Sequence, residues 1–81
     1  MIIEQILEFM KTDPDLRPAS KASETASLIR SGTIDSFSIV KLVAFLEKTF
    51  KIKIGQEDLS EENFDSLKKI EKLVQKKMDP R

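Results

Sequence analysis

From Ser36 to Lys51 the chain runs without a glycine or a proline, and its apolar residues return every three or four positions. That spacing marks an amphipathic α-helix. At about 100° per residue, Ile39, Leu42, Val43, Leu46 and Phe50 fall within roughly 100° of one another, the stripe that faces a core. Asp35 is placed to cap this helix, and Gly32 lets the chain turn just ahead of it. A helix of this kind draws its stability from packing, so the flanking segments must cover the stripe.

They have the pattern to do so. Ile3, Ile6, Leu7 and Met10 recur at helical spacing and predict a first helix. It should end near Thr12, because Pro14 disfavours helix in the residue before it. Leu67, Ile70, Leu73 and Val74 predict a last helix that starts after Asp65 or Ser66, either of which can cap it. Its other side carries Lys68, Lys69, Lys72, Lys76 and Lys77, the last two suited to the negative end of the helix dipole. The acidic stretch Gln56 to Phe64 predicts one or two short helical turns. KIKIG, after the second helix, reads as extended, with Ile52 and Ile54 pointing inward. Asp13 to Thr33 holds two prolines, four serines, two threonines and one glycine. It reads as a long connection with a short helical turn at most, anchored by Leu16, Ala26, Leu28 and Ile29. Connections of this length in a small domain are often functional. The expected fold is all-α: a small four-helix bundle of three longer helices and one short, with a long loop between helices 1 and 2, forming one domain over residues 1–81.

Composition narrows the chemistry. The 81 residues include no histidine and no cysteine, which excludes a zinc finger, a disulfide framework, a thiol nucleophile and an imidazole base. A histidine-dependent serine hydrolase is excluded with them. Fourteen basic residues balance 14 acidic ones, whereas a nucleic-acid binder shows a basic excess. The first residues carry Glu4 and Glu8 and lack the positive lead of a secretory signal. The longest later apolar run, Leu42 to Leu46, is far below the roughly 20 residues that cross a bilayer. The expectation is a cytoplasmic protein without catalytic groups or metal ligands of its own, not inserted in a membrane.

Two features of the second helix point to a use. Phe37, Val40 and Ala44 lie on a different side from the core stripe, beside Lys41, Lys48 and Lys51. Scattered exposed apolar residues are ordinary, but a phenylalanine joining the other two at the helix start marks a partner-binding surface. Ser36, the first helical residue, holds its hydroxyl near free backbone N–H groups and the positive end of the dipole. Such a place favours an attached or bound phosphate, and capping by Asp35 does not compete with it. An unmodified adaptor that binds a partner helix also explains the stripe, but it gives no reason for Asp35-Ser36 after a long loop.

At this point the residues resemble a family. The run LIRSGTIDSFSIVKLVAFLEKTFKIKI, Leu28 to Ile54, is similar to the acyl carrier proteins and the related peptidyl and D-alanyl carrier domains. Their mark is Asp-Ser followed by Leu, Met or Phe at the start of the second helix, with an apolar residue just before the Asp. Here it stands as Ile34-Asp35-Ser36-Phe37. A Val-x-Leu-Val-x-x-Leu-Glu-x-x-Phe pattern follows, as Val40, Leu42, Val43, Leu46, Glu47 and Phe50. The later ENFDSL, with Asn63 as its central polar residue, is similar to the third-helix region of many free-standing carriers. The likeness extends over the chain in length and helix order.

The resemblance implies a carrier that is itself modified. A phosphopantetheinyl transferase would use coenzyme A and Mg²⁺ to attach 4′-phosphopantetheine to Ser36, with Asp35 positioning the metal or orienting the enzyme. The arm would then hold an acyl or aminoacyl group as a thioester. An acyl-loading ligase or transferase and a ketosynthase or other acyl-processing enzyme would be further partners of a monomeric carrier. Phe37, Val40, Lys41, Ala44 and Lys48 would meet them, and Ile39, Leu46, Ile54 and Leu59 would line an acyl pocket if the helices leave one. One departure stands out. Fatty-acid carriers usually have an acidic second helix, whereas Asp35 to Lys53 here has only Asp35 and Glu47 against Lys41, Lys48, Lys51 and Lys53. The acids gather at Glu57, Asp58, Glu61, Glu62 and Asp65. Exposed charge governs encounter and partner choice. A fatty-acid-related or specialised lipid or polyketide role is expected, with D-alanyl or peptidyl cargo as the alternative.

Overall fold

The structure, a computed structural model, describes residues 2–78. It contains four α-helices: α1, Ile2–Thr12; α2, Ser36–Phe50; α3, Glu61–Phe64; and α4, Leu67–Met78. Short 3₁₀ turns occupy Arg17–Lys21 and Gln56–Asp58, and no strand is present among the described residues. The all-helical arrangement of three longer helices and one short agrees with the sequence pattern.

The ends of the helices have local causes. The Asp35 carboxylate accepts a hydrogen bond from the Ser38 amide at 2.9 Å and starts α2. Lys51 takes a left-handed conformation, φ 55°, and ends it. The chain then runs extended, with Ile52 and Ile54 buried and the Ile54 amide donating to the Glu47 carboxylate at 2.8 Å. Ser66 caps α4 by accepting from the Lys69 amide. Asp65, the other candidate cap, is used elsewhere.

One core joins the helices. Ile6 and Met10 of α1, Leu42 and Leu46 of α2, and Ile70 and Val74 of α4 are sealed from solvent, with Phe64 of α3 beside them. Each such side chain contributes about 1.5–3 kcal/mol of burial free energy. Ile39, Val43 and Phe50 sit at the edge of this core. The buried arc of α2 is also wider than its apolar stripe, because Ser38 is covered and the Phe45 ring stacks on Phe9 of α1 at 4.2 Å.

The long connection is anchored at several points. Leu16, Ala19 and Leu28 are fully buried, while Ala26 and Ile29 are half-buried. Its second half is tied to the joint between α3 and α4. One oxygen of Asp65 accepts from the Ser27 hydroxyl at 2.8 Å, the Ile29 amide at 2.9 Å and the Arg30 amide at 3.2 Å. The main chain adds bonds from the Leu28 amide to the Asp65 carbonyl and from the Lys68 amide to the Glu24 carbonyl.

Candidate functional site

The anchored connection delivers Ser36 to the surface. Gly32 turns the chain with φ +79°, a conformation that side chains resist. Ile34 is then buried, and its amide donates to the Leu28 carbonyl at 3.0 Å. The residue just before the Asp35-Ser36 pair is thus fixed. Asp35 follows as an exposed cap, its carboxyl held below the ordinary range by the Ser38 amide and, after it, the Ser38 hydroxyl. Ser36 is exposed, and its hydroxyl has no hydrogen-bond partner among the described residues. The first turn of α2 leaves backbone N–H groups open beside it.

A cleft of about 220 Å³ opens at this serine. Ser36, Ile39 and Val40 line one wall, and Leu59, Ser60 and Phe64 the other. Of the four residues expected around an acyl pocket, Ile39 and Leu59 reach this cleft, while Leu46 and Ile54 belong to the packed core. The sequence pattern did not reveal Val40 and Phe64 as walls: Val40 lies off the core stripe of α2, and Phe64 sits in a helix four residues long, which has too few positions to show a phase. The volume exceeds that of apolar cavities of about 150 Å³ that accept a benzene-sized guest.

Beside the serine, Phe37 and Val40 are 63% and 65% exposed, and Ala44 and Lys48 lie open along the same side. Lys41 is placed differently from the other lysines of α2. Its ammonium bonds Asp15 at 2.6 Å and Asp13 at 3.3 Å, and stands 4.7 Å from the centre of the Phe37 ring. The Asp15 carboxylate foremost keeps this lysine above its ordinary pKa. Lys48, Lys51 and Lys53 stay exposed.

The acidic segment is also redistributed by the fold. Asp58 is buried, bonded to Lys77 at 2.6 Å and to the Gly55 amide, and the lysine holds its carboxyl low. Asp65 is committed to the connection, and Glu61 pairs with Arg30 at 3.2 Å. Glu57 and Glu62 remain as exposed acids of that segment. Among the described residues, no cluster of three or more acidic, histidine or cysteine side chains could hold a metal ion, and no helix is long and apolar enough to cross a membrane.

The chain is similar to an acyl carrier protein of Brachyspira hyodysenteriae strain ATCC 49526 / WA1, with 35% identity over 57 residues, covering 70% of this chain and 73% of that one. The acyl carrier protein given for the species without a strain matches with the same figures. The chain belongs to the acyl carrier protein family. No protein-family model and no solved structure matches it.

Proposed function

We propose that the protein carries acyl intermediates on a 4′-phosphopantetheine arm attached to Ser36. The observation that carries this reading is the Ser36 hydroxyl, exposed and unbonded at the capped start of α2 and opening onto an apolar cleft. The residues suit the group. The open amides at the positive end of α2 would hold a phosphodiester attached to Ser36. In the attachment step the serine oxygen bonds to a phosphorus of the coenzyme A pyrophosphate. The bridging P–O bond breaks, adenosine 3′,5′-bisphosphate leaves with the electron pair, and the serine proton passes to the transferase. Asp35 is ionised at neutral pH and commits Oδ1 to the Ser38 amide. The carboxylate is exposed and has more lone pairs than the Ser38 amide and hydroxyl can use, which leaves it able to meet the Mg²⁺ that the transferase brings. When attached, the arm supplies the terminal thiol that holds an acyl group as a thioester.

Phe37, Val40 and Ala44, with Lys48 further along, form the face presented to the transferase, the loading enzyme and the acyl-processing enzymes. Because Lys48, Lys51 and Lys53 are exposed and Lys41 is paired, this face is apolar near Ser36 and basic beyond it. The reading is a monomeric cytoplasmic carrier, one domain over residues 1–81, serving a fatty-acid-related or specialised lipid or polyketide pathway. Aminoacyl or D-alanyl cargo is the alternative.

The test is direct. Incubation with coenzyme A, Mg²⁺ and a broad-specificity phosphopantetheinyl transferase should raise the intact mass by one phosphopantetheine, and Ser36→Ala should abolish the rise. A folded protein that several transferases leave unmodified sinks the carrier reading and favours an unmodified adaptor built on the exposed stripe.

A further inference from the structure

Phe37 follows Ser36 in the first turn of α2 and is 63% exposed, so an enzyme that covers the start of this helix to reach the serine meets this ring. An exposed phenylalanine normally samples several rotamers, and fixing one on docking costs entropy. Here the ring has a support. The Lys41 ammonium stands over it at 4.7 Å, a cation–π distance. Lys41 is itself held by two carboxylates from the connection after α1, Asp15 at 2.6 Å and Asp13 at 3.3 Å.

Those carboxylates are anchored in turn. The Asp13 side chain accepts from the Asp15 amide at 2.9 Å, and the Asp13 carbonyl accepts from the Leu16 and Arg17 amides. Leu16 is fully buried. A continuous series of contacts therefore runs from the core through the turn, the two aspartates and the lysine to the exposed ring. A single exposed ion pair would fix little. One half-buried ammonium shared by two carboxylates and a ring is a network, and its charge is spent internally.

We propose that Lys41, braced by Asp13 and Asp15, is a positioning residue that pre-orients Phe37 for an apolar pocket on the phosphopantetheinyl transferase. This rests on the carrier reading of Ser36. Lys41 then acts through Phe37, and its own charge makes no contact with the enzyme.

Steady-state modification kinetics with coenzyme A, Mg²⁺ and a broad-specificity transferase test it, with the carrier as varied substrate and intact mass as readout. Lys41→Met should raise KM for the carrier about threefold to tenfold at unchanged kcat, the scale of one lost cation–π contact. Lys41→Arg should retain most of the wild-type value, and Asp15→Asn, at the most exposed member of the brace, should reproduce part of the defect. In a Phe37→Ala background, Lys41→Met should change KM no further. Circular dichroism and melting show that each variant is folded, and Asp15→Asn perturbs the brace without altering α2 should Lys41→Met unfold it. A Lys41→Met defect of equal size with and without Phe37 makes the lysine a direct contact and overturns the proposal, as does a wild-type KM in both Lys41→Met and Asp15→Asn. If no transferase modifies the wild-type protein, the carrier reading fails and this inference falls with it. Normal wild-type modification with unaffected variants removes this inference alone.

Discussion

Asp65 places a carboxylate where side chains are mostly apolar, and its hydrogen bonds decide its charge. Burial pushes its pKa up, but the Ser27 hydroxyl and the Ile29 and Arg30 amides outweigh that, and the carboxyl is held below its ordinary value. A folded pKa below the unfolded one adds stability that is present above the unfolded value of about 4 and lost as pH falls through the folded one. Asp58, held low by Lys77, acts in the same direction. Urea midpoints should therefore be nearly level from about pH 5 to 8 and fall below about pH 4. Asp65→Asn should lower the midpoint at pH 7 and flatten the acid limb, and an unchanged limb would show that Asp65 is not one of the groups responsible. The neighbouring cap is a simpler case. Ser66→Ala removes the acceptor of the Lys69 amide and should cost about 1 kcal/mol, a fall in Tm of about 4–8 °C.

At the scale of the element, α2 has two apolar faces, one buried and one exposed. Leu42 is sealed in the core, so Leu42→Ala should cost about 2–5 kcal/mol. Phe37 is 63% exposed, and Phe37→Ala should leave Tm nearly unchanged while strongly impairing modification of Ser36. Equal losses in melting and modification would place Phe37 in the core. The borders of α2, its core stripe, the exposed Phe37 and the serine at its start were all legible in the sequence, because helical phase and capping are local. The width of the buried arc was not. Ser38 is buried and Phe45 stacks on Phe9 of α1, and no local pattern records which neighbour arrives. Polar ties between distant residues were equally invisible. Lys41 meets carboxylates 26 and 28 positions away, and Asp65 reaches Ser27 across 38. Hydrogen bonds of that kind impose no periodicity on either partner.

For the whole molecule, balanced charge conceals an uneven surface. Two short pairs, Lys41 with Asp15 and Lys77 with Asp58, cancel charge within the molecule, the second of them largely covered. The surface exposes Lys48, Lys51 and Lys53 at and beyond the end of α2, and a cleft between α2 and the turn around Leu59. If the cargo enters that cleft, each buried methylene adds about 0.8 kcal/mol. The octanoyl-loaded protein should then melt above the form carrying the bare arm, and Leu59→Asn should remove most of the difference. Equal melting of the two forms would place the chain in solvent.

The tie from Asp65 to Ser27, Ile29 and Arg30 also sets an order of events. Its partners lie 35 to 38 positions before it in the chain, and closing so long a loop must precede any return from the bonds. The stretch that leads into Ser36 therefore cannot take its final shape on a growing chain until the joint before α4 has been synthesised. On the carrier reading, modification of Ser36 should therefore follow completion of the fold instead of running alongside translation.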